Sequence, residues 1–356
     1  MKIALIGLPN SGKTTIFNAL TESEAAVTSY ANAKAEPNLA VIEVGDQRVA
    51  RLAELYRPKK TTYATIEMID FAGFTNGSAR EEIFPPEVMR LARNAHALAL
   101  VVRNFSDALN GAPAPAEDLE RIREELLLAD LLLAEGRLER IRYGFKRGLK
   151  SHQSLSEERL LQRIADRLEA GLPIRGMELS TDEEKAVRGF QFLTRKPVLA
   201  ILNSDEAGYG KNHALVEELE SKIRVIEFAG QLEMELSRLE DAEEARMFME
   251  DVGIRESARD RLTRFCYRML GYISFFTVGP DEVRAWNIRK GRTAVDAAGA
   301  IHSDLARGFI RAECFSYDDL LACGSEKGVR EKGRFRLEGK DHVVQDGDIL
   351  NIRFHV

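Results

Sequence analysis

Near its amino terminus the chain carries Gly7-Leu8-Pro9-Asn10-Ser11-Gly12-Lys13-Thr14, which fits the pattern G-x-x-x-x-G-K-[ST] in full. Glycines at both ends let successive backbone N–H groups, those of Asn10, Ser11 and Gly12 among them, curl around phosphate oxygens. The helix that follows, opening with Lys13, Thr14 and Thr15, adds partial positive charge. In such a loop the Lys13 ammonium reaches the outer phosphates, and the Thr14 hydroxyl is placed to ligate Mg2+. A chance match somewhere in a chain this long has a probability of about 1% at average residue frequencies. Two further stretches fit the same chemistry. Asp70-Phe71-Ala72-Gly73 closes an apolar run, so Asp70 is placed to hold the metal through water and the Gly73 N–H to meet a γ-phosphate. An Asp that merely caps a turn is the other reading of that position. Asn203-Ser204-Asp205-Glu206 follows a later apolar run, where a base is read when the pattern is N-K-x-D. Ser204 stands at the Lys position and Glu206 at the Asp position, so guanine preference is not supported. A simple Asx-type turn remains open there.

Elements that would position these residues are legible around them. Strand-length apolar runs lie at residues 3–6, 39–44, 66–69, 98–102, 198–202 and 225–228. Several are almost continuously apolar, as in a parallel sheet buried on both faces. Helix-like stretches separate some of them, starting with residues 13–20, which predicts a doubly wound α/β domain. Almost a hundred residues interrupt the alternation between the fourth and fifth runs. Leu119, Ile122, Leu126, Ala129 and Leu133 recur there by threes and fours. After Gly144, Gly148 and a Ser-rich turn, Leu161, Ile164 and Leu168 do the same. The pattern predicts an antiparallel helical hairpin inserted in the α/β domain, with two amphipathic helices lying on the sheet as the alternative. The last eighty residues change character, with alternating strand candidates at 283–288, 309–315, 335–338 and 349–354. A short helix, 294–300, is capped by Thr293. A small β-rich domain is expected.

The chain of 356 residues is too long for one ordinary compact domain, and 44% apolar residues are enough to bury a core. No run reaches the length a membrane helix needs. Residues 1–6 look like the apolar core of a signal peptide but run straight into the glycine loop, so an unprocessed cytoplasmic strand is expected. The three cysteines, Cys266, Cys314 and Cys323, have no metal-ligand spacing and read as reduced thiols. Net charge is −6, so the surface as a whole does not attract nucleic acid. Residues 137–150 are the densest basic stretch: Arg137, Arg140, Arg142, Lys146, Arg147 and Lys150 against the single acid Glu139. It reads either as an RNA-contacting patch on the helical arm or as a solvated helix face.

Together these motifs resemble the YchF/Obg-like ATPase family over the whole chain. The family's loop G-L-P-N-V-G-K-S-T is matched from Gly7 to Thr15 except at Ser11 and Thr14, and its N-x-x-E by Asn203 and Glu206. Its C-terminal signatures are met by residues 282–286, 297–302, 308–313, 337–341 and 344–348. The resemblance implies a Ras-like P-loop NTPase fold, 1–113 with 196–275. It also implies a helical coiled-coil insertion at 114–195 and a TGS domain of β-grasp type at 276–356. It implies binding and hydrolysis of ATP, with weaker or variable use of GTP, and association with ribosomes; a cytoplasmic monomer that uses Mg2+ is expected. Ser204 would then meet the adenine through its backbone, and Phe228, Ala229 and Gly230 would form the last loop near the base.

Three departures fall around the γ-phosphate. Lys34 stands where the family has a threonine, and lysine has no oxygen for a metal. The family's glycine-rich stretch is replaced by Ser78-Ala79-Arg80-Glu81-Glu82 and Pro85-Pro86. Leu100 takes the place of a histidine implicated in hydrolysis, with His96 displaced by roughly 13 Å along a strand. Phe74 supplies no polar group to orient water. A slow NTPase or nucleotide-dependent switch is therefore expected, or else a scaffold for RNA or protein whose nucleotide is structural.

Overall fold

The computed structural model describes residues 1–21, 37–71, 84–106, 111–239 and 241–355. Lys34, Gly73, Phe74 and the Ser78–Glu82 stretch lie outside the described residues. The described chain divides into two compact units, Met1–Ala40 with Glu67–Ala258, and Val41–Ile66 with Arg259–Val356.

The first sheet contains β1 (Lys2–Gly7), β2 (Asn38–Glu43), β4 (Thr65–Asp70), β5 (Ala97–Asn104), β6 (Val198–Ser204) and β7 (Arg224–Phe228), in the order β2-β4-β1-β5-β6-β7. Pairings from β4 through β7 are parallel. β1, β5 and β6 are buried almost end to end, which is why their sequences read as unbroken apolar runs. Their register sets the carboxyl ends of β1, β4, β5 and β6 at one edge, with Leu5 opposite Asp70 and Asn104 opposite Ser204. The run at residues 39–44 is the exception. β2 is an edge strand with Leu39 and Val41 largely exposed, where the apolar composition predicted burial.

The helical insertion combines both sequence readings. One helix runs unbroken from Pro115 to Lys146, and after a turn at Gly148 (φ +80°) a second, His152–Glu169, returns behind a Ser151 capping box. Leu119, Ile122 and Leu126 are buried with the sheet's own core, not in the hairpin seam. The hairpin has a separate core, in which Ala134, Leu138 and Ile141 meet Leu160, Leu161, Ile164 and Leu168. Asp130 marks the change from one core to the other. It is fully buried, accepting from Arg93 (2.6 Å), the Leu193 and Thr194 N–H groups and the Thr194 hydroxyl.

The second sheet holds β3 (Lys60–Thr62), β8 (Tyr272–Thr277), β9 (Glu282–Arg289), β10 (Phe309–Ser316), β11 (Arg336–Glu338) and β12 (Asp348–Phe354), in the order β11-β10-β12-β8-β9-β3. β8 and β9 form an antiparallel pair, β12 runs parallel to β8, and β10 runs antiparallel to β12. The helix Ala294–Ile301, with the expected Thr293 capping box, packs Ala294, Ala297 and Ala298 against Phe275, Ala312 and Leu350. This is the β-grasp arrangement. β3 and β8 were not among the sequence-predicted strands. β3 has three residues, too few for a period, and β8 has an apolar run without alternation.

Candidate functional site

The glycine loop sits where its sequence places it, between β1 and the helix Lys13–Thr21, at the carboxyl edge of the first sheet. Asn10 (φ +60°) and Gly12 (φ +84°) take the left-handed conformations that turn the backbone. Lys13 Nζ folds back over the loop, donating to the carbonyl oxygens of Gly7 (3.0 Å) and Leu8 (2.8 Å). Burial pushes its ammonium down to about 8, while the charge of Asp70 opposes the shift.

Asp70 closes β4, and its Oδ2 accepts from the Thr14 hydroxyl (3.0 Å) and from Asn38 Nδ2 (3.2 Å). Burial raises its carboxyl above the ordinary range, with the Lys13 charge and these two hydrogen bonds opposing. Oδ1 of Asp70 is buried with no hydrogen-bond partner among the described residues. A carboxylate oxygen so placed, beside a hydroxyl and a partly desolvated ammonium, is stabilised by further positive charge. The set therefore fits a hard divalent cation such as Mg2+ carried in with a phosphate.

Asn203 ties the loop to the next turn of chain. Its Nδ2 donates to Ser11 O (3.0 Å) and its Oδ1 accepts from Gly230 N (3.1 Å). A Cβ at either Gly12 or Gly230 would collide with this amide, so a larger residue at either position would displace the Asn203 side chain. In this arrangement the Asn203 side chain is a strut. Ser204 is buried too, its hydroxyl donating to Glu227 (2.6 Å) and accepting from Asn104 (2.9 Å). Asn212 also donates to Glu227 (2.6 Å), whose other oxygen accepts from Gly210 N (3.2 Å). Glu206 is exposed. The side chains of Phe228 and Ala229 are buried, and Ala229 N donates to the buried Glu233.

Residues 2–133 match the family described as 50S ribosome-binding GTPase. Residues 272–355 match the C-terminal domain of YchF GTPases, described as a protein of unknown function (DUF933). The Ribosome-binding ATPase YchF of Bacillus subtilis (strain 168) is 39% identical over 364 residues, covering 99% of this chain and 98% of its own length. The chain belongs to the YchF family. The Ribosome-binding ATPase YchF of Escherichia coli O157:H7 is 37% identical, over 100% of this chain and 99% of its own. The solved structure of the Schizosaccharomyces pombe YchF GTPase superposes with a TM-score of 0.84 at 30% identity, covering 99% of this chain and 97% of that one.

In this YchF-family chain the structure brings Lys13, Thr14 and Asp70 together, and joins Ser11, Asn203 and Gly230 through one amide. Leu100 is wholly buried between Ile6 and Ala200 in the sheet. His96 lies at the opposite end of β5, where its Nδ1 accepts from Lys2 N (2.9 Å). It is remote from the glycine loop.

Sequence reasoning missed Asn38, Asn104, Asn212 and Glu227, polar residues without a motif of their own. Only Asn38 carried a signal, as the last residue of Glu36-Pro37-Asn38. Arg103 was missed also. It is buried and donates to the carbonyl oxygens of Phe105 and Gly111 (both 2.8 Å) and Ala112 (3.2 Å), holding the chain that leads into the long helix.

Proposed function

We propose that this YchF-family chain binds a purine nucleoside triphosphate with Mg2+ and acts as a slowly hydrolysing, ribosome-associated switch in the cytoplasm. The observation that carries the proposal is the grouping of Lys13, Thr14 and Asp70, whose Oδ1 has no hydrogen-bond partner among the described residues, at the mouth of a left-handed glycine loop. The loop's N–H groups, with Gly73, receive the phosphates, and Thr15 prolongs the helix dipole toward them. Thr14 would ligate the metal, and Asp70 would hold it through water. Bound Mg2+ supplies charge neutralisation between the outer phosphates. Lys13 exchanges the carbonyl oxygens of Gly7 and Leu8 for phosphate oxygens.

The base lies near Asn203, Ser204, Glu206 and the Phe228–Gly230 turn. With the Ser204 hydroxyl committed to Glu227, backbone groups read the purine, and ATP binds at least as well as GTP. The nucleotide part takes residues 1–113 and 196–275 apart from 41–66 and 259–275, which fall in the second compact unit, with the arm at 114–195 and the TGS domain at 276–356, in a monomer. The ribosome names of the bacterial relatives, and the basic residues along the arm, support RNA contact there.

Calorimetric titration with ATP, GTP and their diphosphates, with and without Mg2+, tests the reading. Binding of ATP by the parent and loss of binding in a folded Lys13→Ala variant are expected. Equal affinity of variant and parent removes the loop from function. A preference for GTP of about a thousandfold, roughly 4 kcal/mol, overturns the base assignment.

A further inference from the structure

We propose that Cys314, His342 and Asp348 form a binding site for a borderline-soft divalent metal of the zinc class, in the C-terminal unit and separate from the nucleotide. Strand register assembles most of it. Cys314 on β10 pairs with Arg336 on β11 and with Leu350 on β12. Side chains of paired residues share a face, and so do those two positions along. One face therefore carries Cys314, Arg336, Glu338 and Asp348 together. His342 comes from the connection between β11 and β12, which is fastened by its own N–H to Gly339 O (3.3 Å) and by Ala294 N to its carbonyl (2.8 Å).

The side chains converge as ligands do. Cys314 Sγ lies 4.0 Å from His342 Nε2, which lies 3.5 Å from Asp348 Oδ2, and donor atoms of all three fall within 4.8 Å of one another. Thiolate, imidazole and carboxylate are the ligand types zinc accepts, and three protein ligands leave a fourth position for water. Cys314 and Asp348 are buried, and His342 is reachable from solvent. The ring is also oriented: Nδ1 faces Glu338 Oε2 at 3.5 Å, the carboxylate–histidine pairing that aims the opposite nitrogen at a metal.

Without metal, Arg336 takes the place of the positive charge. Its guanidinium lies 3.3 Å from Cys314 Sγ and 3.5 Å from Asp348 Oδ1, yet its side chain is about half exposed. It can therefore swing outward. Binding replaces this guanidinium with a metal ion, forms the sulfur–metal bond, and releases the Cys314 thiol proton to water. No oxidation is involved. Burial and the neighbouring Asp348 push that thiol up to about 12, while the Arg336 guanidinium opposes the shift.

Co2+ titrated into the full chain serves as the optical probe. A sulfur-to-cobalt charge-transfer band saturating at one equivalent, reversed by added Zn2+, is expected. Cys314→Ser should abolish the band, and His342→Ala and Glu338→Gln should each weaken binding at least about tenfold. Cys323→Ser should leave the band intact. Arg336→Gln should bind more tightly than the parent, an outcome that mere loss of folding cannot mimic. Absence of the band in the parent, its survival in Cys314→Ser, or unchanged affinity in Arg336→Gln overturns the proposal.

Discussion

Lys13 is a cation kept in a poorly solvated loop, where among the described residues its ammonium donates to two carbonyl oxygens. Its ammonium falls to about 8 from an ordinary 10.5. Between those values the unfolded chain keeps the proton and the folded one loses it, so this residue's contribution to stability rises with pH across that window. A triphosphate reverses the bias by favouring the charged form. Nucleotide affinity should therefore be level up to about pH 8 and fall by up to about tenfold per unit above it, with proton uptake on binding. Calorimetry between about pH 7.5 and 9.5 in buffers of different ionisation enthalpy measures both quantities. In Lys13→Arg, whose guanidinium stays charged, the pH slope should vanish whatever affinity remains. A parent titration flat to about pH 9.5 would sink the assignment of Lys13 to phosphate.

At the scale of elements, one buried carboxylate joins the long helix to its surroundings. Asp130 accepts from Arg93 and from the residues of a short 3-10 turn, Leu193–Arg195. Asp130→Ala would leave Arg93 without its carboxylate and beside the like charge of Lys196, and free two buried N–H groups. It should cost about 3–5 kcal/mol in denaturant unfolding with little change in nucleotide affinity. β5 bears on turnover in a different way. It seats Leu100 in the core and leaves His96 at the end away from the loop, so this strand brings no imidazole to the phosphates. With Lys34 where the family has a threonine, and the apolar Phe74 where Ras-like enzymes carry a glutamine, hydrolysis should be slow. Two missing contributions of roughly 2.7 kcal/mol each amount to about ten-thousandfold. Single-turnover phosphate release at about 1 s⁻¹ or faster, without a partner, would overturn this reading.

For the molecule as a whole, the net charge of −6 hides a local reversal on the arm. Arg137 and Arg142 are paired with Glu157 and Glu158 of the returning helix, which leaves Arg140, Lys146, Arg147 and Lys150 as exposed cations of that stretch with no ion pair among the described residues. Replacing those four with Glu should reduce co-sedimentation with ribosomes and lower its salt dependence, with nucleotide affinity unchanged. Unaltered co-sedimentation would remove the arm from the interface. The glycine loop, the parallel strands and the capped helix at Thr293 were legible in the chain because each depends on neighbours within a few residues. Backbone curvature at Gly12, continuous burial of β1 and β5, and the Thr293 cap are local consequences of residue type. The seam of the helical arm was legible only in part, for the opposite reason. Leu119 to Leu133 has one period, but the sheet claims its first turns and the returning helix its last. Periodicity names an apolar face without naming what covers it. The polar groups that complete the site, Asn38 to Asp70 and Ser204 to Glu227, are 32 and 23 residues apart. Cys314 and His342 are separated by 28. Contacts of that kind have no spacing rule, because strand register and sheet order bring them together, and these are set by the packing of the whole sheet.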